Sequence, residues 1–445
     1  MPDTPCPSRP SYAPLRYDED WHAVADPRCR TDAWDPAKYI GLTPGRYLSI
    51  GGDARIRYER FENPGFGRGL DDRDGYLLQR YLLHADLHWS PRLRLFGQLE
   101  SSAVDGRRAG PRPTDENSMD VNQLFAEWRT PLRGDDSFTL RVGRQEVELG
   151  SSQFTSSRDG LNDRLSFDGV RALGEIGDWR FHAMAARVVP TNRGGFDDAS
   201  GPNATLSGFY LARTHALLPG GNAVGYASRR TRANGDYADA TGAEERITIG
   251  TRWWGRGERW DYSLETGAQL GRLGASDIRA WYANTDNGWT WRESTWQPRL
   301  GVRLSMGSGD RTPGDGVLGT FSPLFAATAY SGLAGLVGPS NSINVAPSVR
   351  LRLSQSVTLT VGTSVFWRQS RADGIYDIAS ELLRAPGSSD ARHVGTQPTL
   401  QLAWTPTSHV TVFTTLSYFK TGRFLRETPP CENVTYFTAW WAYRF

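Results

Sequence analysis

Lysine is almost missing from this chain of 445 residues: of its 51 basic residues only Lys38 and Lys420 are lysines, which leaves 49 arginines. Long apolar runs are missing as well, with a mean hydropathy of −0.52 and no stretch of 18 apolar residues. That excludes a helical membrane protein but not a β-barrel, whose strands need about ten residues of alternating polarity. Net charge is only +2, so there is no bulk basic signal and no nucleic-acid partner is expected. The three cysteines, Cys6, Cys29 and Cys431, show no CxxC spacing and suggest no zinc site. A Cys29–Cys431 disulfide is one pairing that an oxidising compartment would allow. HExxH, G-x-S-x-G, P-loop and GxGxxG patterns are absent, and neither a cofactor nor a metal is expected. The opening MPDTPCPSRP lacks an apolar h-region and is not a signal peptide. An outer-membrane protein needs one, so the leader is expected to have been trimmed or the start misassigned.

What is present is period-two alternation. Residues 1–45, rich in Pro, Asp and Arg, show none of it and read as an irregular N-terminal segment. From Tyr47 the pattern changes. Ile50, Ala54, Ile56 and Tyr58 fall on one face, and Asp53, Arg55, Arg57 and Glu59 on the other. Such a strand separates apolar from aqueous surroundings. The reading repeats near 46–60, 76–89, 91–102, 120–130, 136–146, 164–174, 178–188, 206–216 and 222–230. It continues near 244–254, 259–271, 277–286, 296–305, 342–354, 356–368, 395–405, 408–420 and 433–445. The count is about eighteen, an even number, as a closed bacterial barrel requires. The expected fold is therefore all-β: a closed antiparallel transmembrane barrel over residues 46–445.

The links alternate. Short ones (Ser90-Pro91, Gly177-Asp178, Ser354-Gln355-Ser356, Thr405-Pro406-Thr407-Ser408) follow every second strand, and the intervening ones are mostly long. A barrel with tight periplasmic turns and long extracellular loops has this pattern; a soluble sandwich or propeller has no reason for it. Both termini then lie on the short-turn side. Trp89, Trp179, Trp254, Trp260 and Trp404 adjoin short turns, where an interfacial girdle belongs. The last strand carries Thr435, Phe437, Ala439, Trp441, Tyr443 and Phe445 on one face. A final strand ending in Phe resembles the signal by which outer-membrane barrels are recognised for assembly. The apolar, Gly-rich segment 306–341 is expected to fold into or over the pore mouth.

With apolar residues facing lipid, the inward set includes Arg55, Arg57, Arg80, Arg92, Arg94, Arg129, Arg141, Arg299, Arg303, Arg350, Arg352 and Arg368. Asp53, Glu59, Asp86, Glu100 and Glu127 interleave. A GC-rich genome also favours arginine codons, and arginine avoids lipid because it costs about 2–4 kcal/mol at mid-bilayer. Inward placement alone is thus no proof of function. An excess of inward cations would focus the field and draw anions in.

One region is dense in paired charge: Gly143-Arg144-Gln145-Glu146, then Arg158-Asp159-Gly160-Leu161-Asn162-Asp163-Arg164-Leu165-Ser166-Phe167-Asp168-Gly169. These motifs resemble the GRQE and R-[ED]-G-x-N-x-R-x-S-F-D-G elements of the alginate-export family of outer-membrane proteins. Pro14 to Trp21 (PLRYDEDW) and Thr320 to Phe325 (TFSPLF) also look familial, so the resemblance covers nearly the whole chain. It implies a barrel of about eighteen strands that exports alginate, a polyuronate, through an arginine-lined constriction. By that resemblance Arg144, Arg158 and Arg164 are the leading constriction residues, beside Asp159 and Asp168. Arg141, Arg55, Arg57, Arg80, Arg94, Arg129, Arg303, Arg350 and Arg352 complete the expected substrate-contacting set. The implied partners are an anionic polysaccharide, outer-membrane lipid and periplasmic export or assembly proteins, in a Gram-negative cell.

Other readings stay open. Import of acidic oligosaccharides needs the same pore, because a barrel only lets solute down its gradient. An outer-membrane enzyme would need a Ser–His pair near the outer rim, for which His215 and His393 are candidates. His84, Asp86 and His88 share one strand face, but a spacing of ~6.8 Å per two residues is wide for one metal ion.

Overall fold

Alternation of outward apolar with inward polar side chains builds eighteen long strands. The computed structural model describes residues 6–150, 156–216, 220–325 and 332–445. The strands are β1 Arg46–Glu62, β2 Asp72–His88, β3 Leu93–Asp105, β4 Asn117–Pro131, β5 Ser137–Gln145 and β6 Ser166–Ile176. Next come β7 Trp179–Val189, β8 Ala204–Ala216, β9 Gly221–Asp236, β10 Thr241–Arg256, β11 Trp260–Leu273 and β12 Ser276–Thr290. The last are β13 Arg299–Gly307, β14 Ser342–Arg352, β15 Val357–Arg368, β16 His393–Trp404, β17 Val410–Thr421 and β18 Val434–Arg444. Each pairs antiparallel with its sequence neighbours, and β1 pairs with β18 from Asp53↔Arg444 to Glu62↔Thr435. That last pairing closes the barrel, which leaves its eighteen strands without an edge.

Each of the eighteen expected strands overlaps an observed one. β9 and β10 run longer than expected, which leaves only 237–240 between them on the long-loop side. β11 and β12 are joined by two residues, where Gly274 takes a φ of +55°, a left-handed value that a Cβ would oppose. The C-terminus and the described start of the N-terminal segment lie on the short-turn side, periplasmic in barrels of this kind. The outward apolar band on β11 runs from Trp260 through Leu264 to Leu270, all exposed. Ten residues at about 3.3 Å, tilted by about 40°, rise about 25 Å, the height of the apolar band in such barrels. Trp89, Trp128, Trp179, Trp260, Trp289 and Trp404 are exposed toward the short-turn ends. Trp254 is a correction: it shares the inward alternation of Arg252 and Arg256, and the Arg252 guanidinium lies 4.6 Å from its ring.

The interior is not empty. The N-terminal segment packs inside the short-turn end through 3-10 turns at Arg16–Asp18, His22–Val24 and Pro27–Cys29 and a helical turn at Asp35–Lys38. A Cys6–Cys29 disulfide closes it, and Cys431 is free, so the Cys29–Cys431 pairing does not form. Three cysteines in a sequence carry no information on which two meet. Arg16 anchors the segment, donating to Gly52 O and Phe445 O at 2.9 Å each. From the long-loop side, Thr320–Phe325 reach the inner wall. Arg230 donates to Pro323 O at 2.6 Å, and Arg246 to Thr320 O at 3.0 Å. Residues 326–331 of the 306–341 segment lie outside the described residues.

Candidate functional site

The register of β1 and β2 sets Arg55 directly opposite Arg80 on the inner face. Facing like charges repel, and here a loop supplies the anions. The described residues of the link between β5 and β6, 146–150 and 156–165, enter the barrel. Arg55 donates to Asp159 O at 2.7 Å and to Leu161 O; Arg57 donates to Gly160 O at 2.5 Å. Arg80 pairs with the Asp159 carboxylate at 2.7 Å. Arg164 joins from the loop itself, 2.6 Å from Glu146 and 3.0 Å from Asp159. Burial opposes ionisation of Asp159, yet Arg80 and Arg164 hold it well below the usual carboxylate range.

On the neighbouring wall the N-terminal segment takes the same role. Arg94 forks onto Asp86 with two bonds of 2.7 Å and donates to Tyr17 O at 2.6 Å. Arg141 pairs with Glu127 at 2.5 Å, and its guanidinium lies 3.9 Å from the Tyr17 ring centre. Tyr17 in turn donates to Glu146 O at 3.0 Å, so the segment from one mouth meets the loop from the other. Arg129 reaches Ser137 Oγ at 3.4 Å.

Arg144 and Asp168 lie elsewhere than expected. They sit opposite each other in register, on the alternation of exposed Val142 and Val170, which is the outward one. They pair at 2.8 Å, and Arg144 also donates to Asp198 O at 3.0 Å under the loop 190–203. Asp120, Asp197 and Asp198 bring carboxylate oxygens within 4.8 Å of one another there, with Arg144 3.6 Å from Asp120 as a counter-charge. Arg158, at a left-handed φ of +56°, lies 5.8 Å from the Phe325 ring and makes no ion pair among the described residues. Burial, aided by the charge of Arg230, lowers its pKa to about 10.

The histidines do not assemble a catalytic or metal group. Asp86 is taken by Arg94, His88 stands 3.2 Å from Asp86, and His84 stacks on Phe96. His215 ends β8 at the short-turn side, not the outer rim as expected. His393 begins β16 on the other side, and the two strands are not neighbours.

A different group of arginines stays open. At the short-turn mouth, a cavity of about 600 Å³ is lined by Arg256, Arg259, Arg292, Arg299, Arg350 and Arg352, with Asp261 as the one carboxylate of the lining. Arg299 is taken by Asp261 at 2.5 Å and Asp286 at 3.1 Å, and Arg259 by Glu293 at 2.8 Å. Arg256, Arg292, Arg350 and Arg352 form no ion pair among the described residues; Arg352 reaches Gln297 Oε1 at 3.5 Å. Deeper in, Arg303 lines a cavity of about 260 Å³ with Asp286, Ser348, Thr360, Ser364, Thr399 and Gln401, and its Nε has no acceptor among the described residues. Of these arginines the sequence pattern did not single out Arg256, Arg259 and Arg292. Arg256 lay two residues beyond the strand end expected at 254, and Arg292 sits in the turn 291–298.

The family model described as alginate export matches residues 46–438, the barrel from its first strand into its last. The chain belongs to the alginate export family. No curated protein sequence matches it. Among solved structures it is similar to Pseudomonas aeruginosa OccD3 (OpdP), at 13% identity and a TM-score of 0.59 over 99% of both chains. It is also similar to P. aeruginosa OpdK with vanillate, at 12% identity and a TM-score of 0.57 over 89% of this chain and 98% of that one. A third is P. aeruginosa OccK2 (OpdF) in complex with glucuronate, at 12% identity and a TM-score of 0.56 over 89% and 96%. These likenesses are of fold. Family and fold together are those of outer-membrane transport channels.

Proposed function

We propose that this alginate-export family member sits in the outer membrane of a Gram-negative bacterium and passes a polyuronate of the alginate class outward, as an anion-selective channel. The observation that carries the reading is the short-turn cavity, where six arginines face one carboxylate. Two charges ~8 Å apart in water interact by only about 0.5 kcal/mol. Several of one sign within low-dielectric walls add up and focus the field. A polyanion is then drawn in from the periplasmic side by contacts that are individually weak enough to release it. Arginine's planar fork suits each uronate carboxylate. OccK2, a barrel of similar fold, is in complex with glucuronate, an acid sugar; the competing reading is import of short acid sugars.

Planar-bilayer recording tests the proposal. The wild-type pore is expected to prefer Cl⁻ over K⁺, and polyuronate should block it transiently. Preference should fade as the Debye length falls from ~10 Å at 0.1 M salt to ~3 Å at 1 M. Arg350→Glu with Arg352→Glu should abolish or reverse the preference, while Arg423→Glu, on an exposed loop helix, should not. A cation-selective wild type counts against any anionic cargo. Passage of uronate monomers but no polymer through proteoliposomes favours import.

A further inference from the structure

A second cavity, of about 530 Å³, lies on the opposite wall of the short-turn end. Its volume is within the range of about 300–1,000 Å³ typical of small-molecule sites. Unlike the first, it is not made by the barrel alone. Arg94, Arg129, Arg141 and Arg171 line it from the inner face, and Tyr17 and Asp18 line it from the N-terminal segment.

Most of these charges are already matched. Arg94 is held by Asp86 and Glu127, and Arg141 shares Glu127. Arg171 is different. It is only 4% exposed, and among the described residues it makes no ion pair and neither its Nε nor its Nη1 meets an acceptor. Its Nη2 stands 3.5 Å from His182 Nδ1. Arg141 Nη1, on the next strand and in direct register with Arg171, also lacks an acceptor among the described residues. Two adjacent guanidinia, nine-tenths buried, thus carry three N–H-bearing nitrogens without a hydrogen-bond acceptor among the described residues. Buried donors are costly to leave unpaired, and a pair of this kind accepts a carboxylate in two-point fashion. Asp18 lines the same cavity, exposed and without an ion pair among the described residues. Its charge faces Arg141, Arg171 and Arg94 across the gap.

We propose that Arg141 and Arg171 form a uronate-binding site distinct from the six-arginine mouth, completed by the N-terminal segment and weakened by Asp18. The proposal rests on the reading of the protein as a channel for acid sugars. A uronate carboxylate lies on the Arg141 and Arg171 donors, and its sugar ring fills the gap toward Asp18. Asp18 competes for the same guanidinia, so occupancy stays reversible. The segment thereby tunes a site that the barrel wall would otherwise hold too strongly for transport.

Titration calorimetry of the full chain in detergent with a mannuronate trisaccharide tests this. Arg171→Gln should weaken this binding about tenfold, the loss of a charge-assisted pair, while Arg423→Glu, outside both cavities, leaves it in place. Asp18→Asn should tighten binding several-fold. A gain of affinity is a result that misfolding cannot produce, and residue 18 lies outside the barrel strands. Wild-type affinity in both Arg171→Gln and Asp18→Asn overturns the proposal. Loss of all binding in Arg350→Glu with none in Arg171→Gln also overturns it, while leaving the channel reading intact. Polymer flux into proteoliposomes is measured in parallel. Trisaccharide binding that depends on Arg171, without polymer flux, upholds the site and defeats the export reading instead.

Discussion

Lys38 shows what burial does to a single charge. Its side chain is fully buried, its Nζ donates to Ile50 O at 3.0 Å, and it lies 5.4 and 5.1 Å from the Tyr12 and Trp21 ring centres. Burial, then the nearby charge of Arg16, lowers its pKa to about 7; Arg9 acts with Arg16, while Glu19 and Asp32 oppose. A free lysine titrates at about 10.4. Between pH ~7 and ~10.4, the undocked segment therefore holds a proton that the docked segment sheds, and docking strengthens as pH rises through that window. Protease protection of residues 6–45 should increase from pH 7 to pH 10 and level off above. Lys38→Met should flatten the profile. Protection that falls over this range would contradict the burial argument.

At the same scale, alternation placed Arg55, Arg57, Arg80, Arg94 and Arg141 on the right face, because parity along a strand depends only on local geometry. It did not disclose what they hold. Their acceptors come from Asp159 to Leu161 and from Tyr17, far away in sequence. Arg144 shows the opposite error. The motif marked it as important, yet it stands one residue off the inward parity set by Arg141.

Among the elements, the links hold most of what sequence patterns passed over. The described part of the 308–341 link is anchored by Arg230, Arg246 and Gln269, and Phe321 packs on Tyr282 with ring centres 4.9 Å apart. Its apolar composition signalled packing, and packing against the inner wall is what it does. Replacing residues 310–340 by a short Gly-Ser linker should raise single-channel conductance. An unchanged conductance would mean that the link lies beside the path of ions. The 146–165 link was legible as charged but not as an insertion, since nothing in a run of Arg, Asp and Asn says whether its partners are water or a strand.

For the whole molecule, closure through β1 and β18 makes the barrel independent of the N-terminal segment. Removing residues 6–45 should leave a barrel that still migrates faster unheated than heated in detergent gels. Its conductance should rise, because Tyr17 and its neighbours no longer occupy the lumen. Loss of the folded band would show that the contacts of Arg16 and Lys38 with Gly52, Phe445 and Ile50 are needed for closure itself.

The sequence by itself determined the strand number, the side of the termini and the face of most side chains. Period-two polarity, turn length and an aromatic rim are local consequences of a sheet between lipid and water. Only the tertiary structure decided which arginines remain open. A guanidinium is neutralised or left free according to the chain segment that folds against it, and those segments enter from both mouths by contacts that have no periodicity to read.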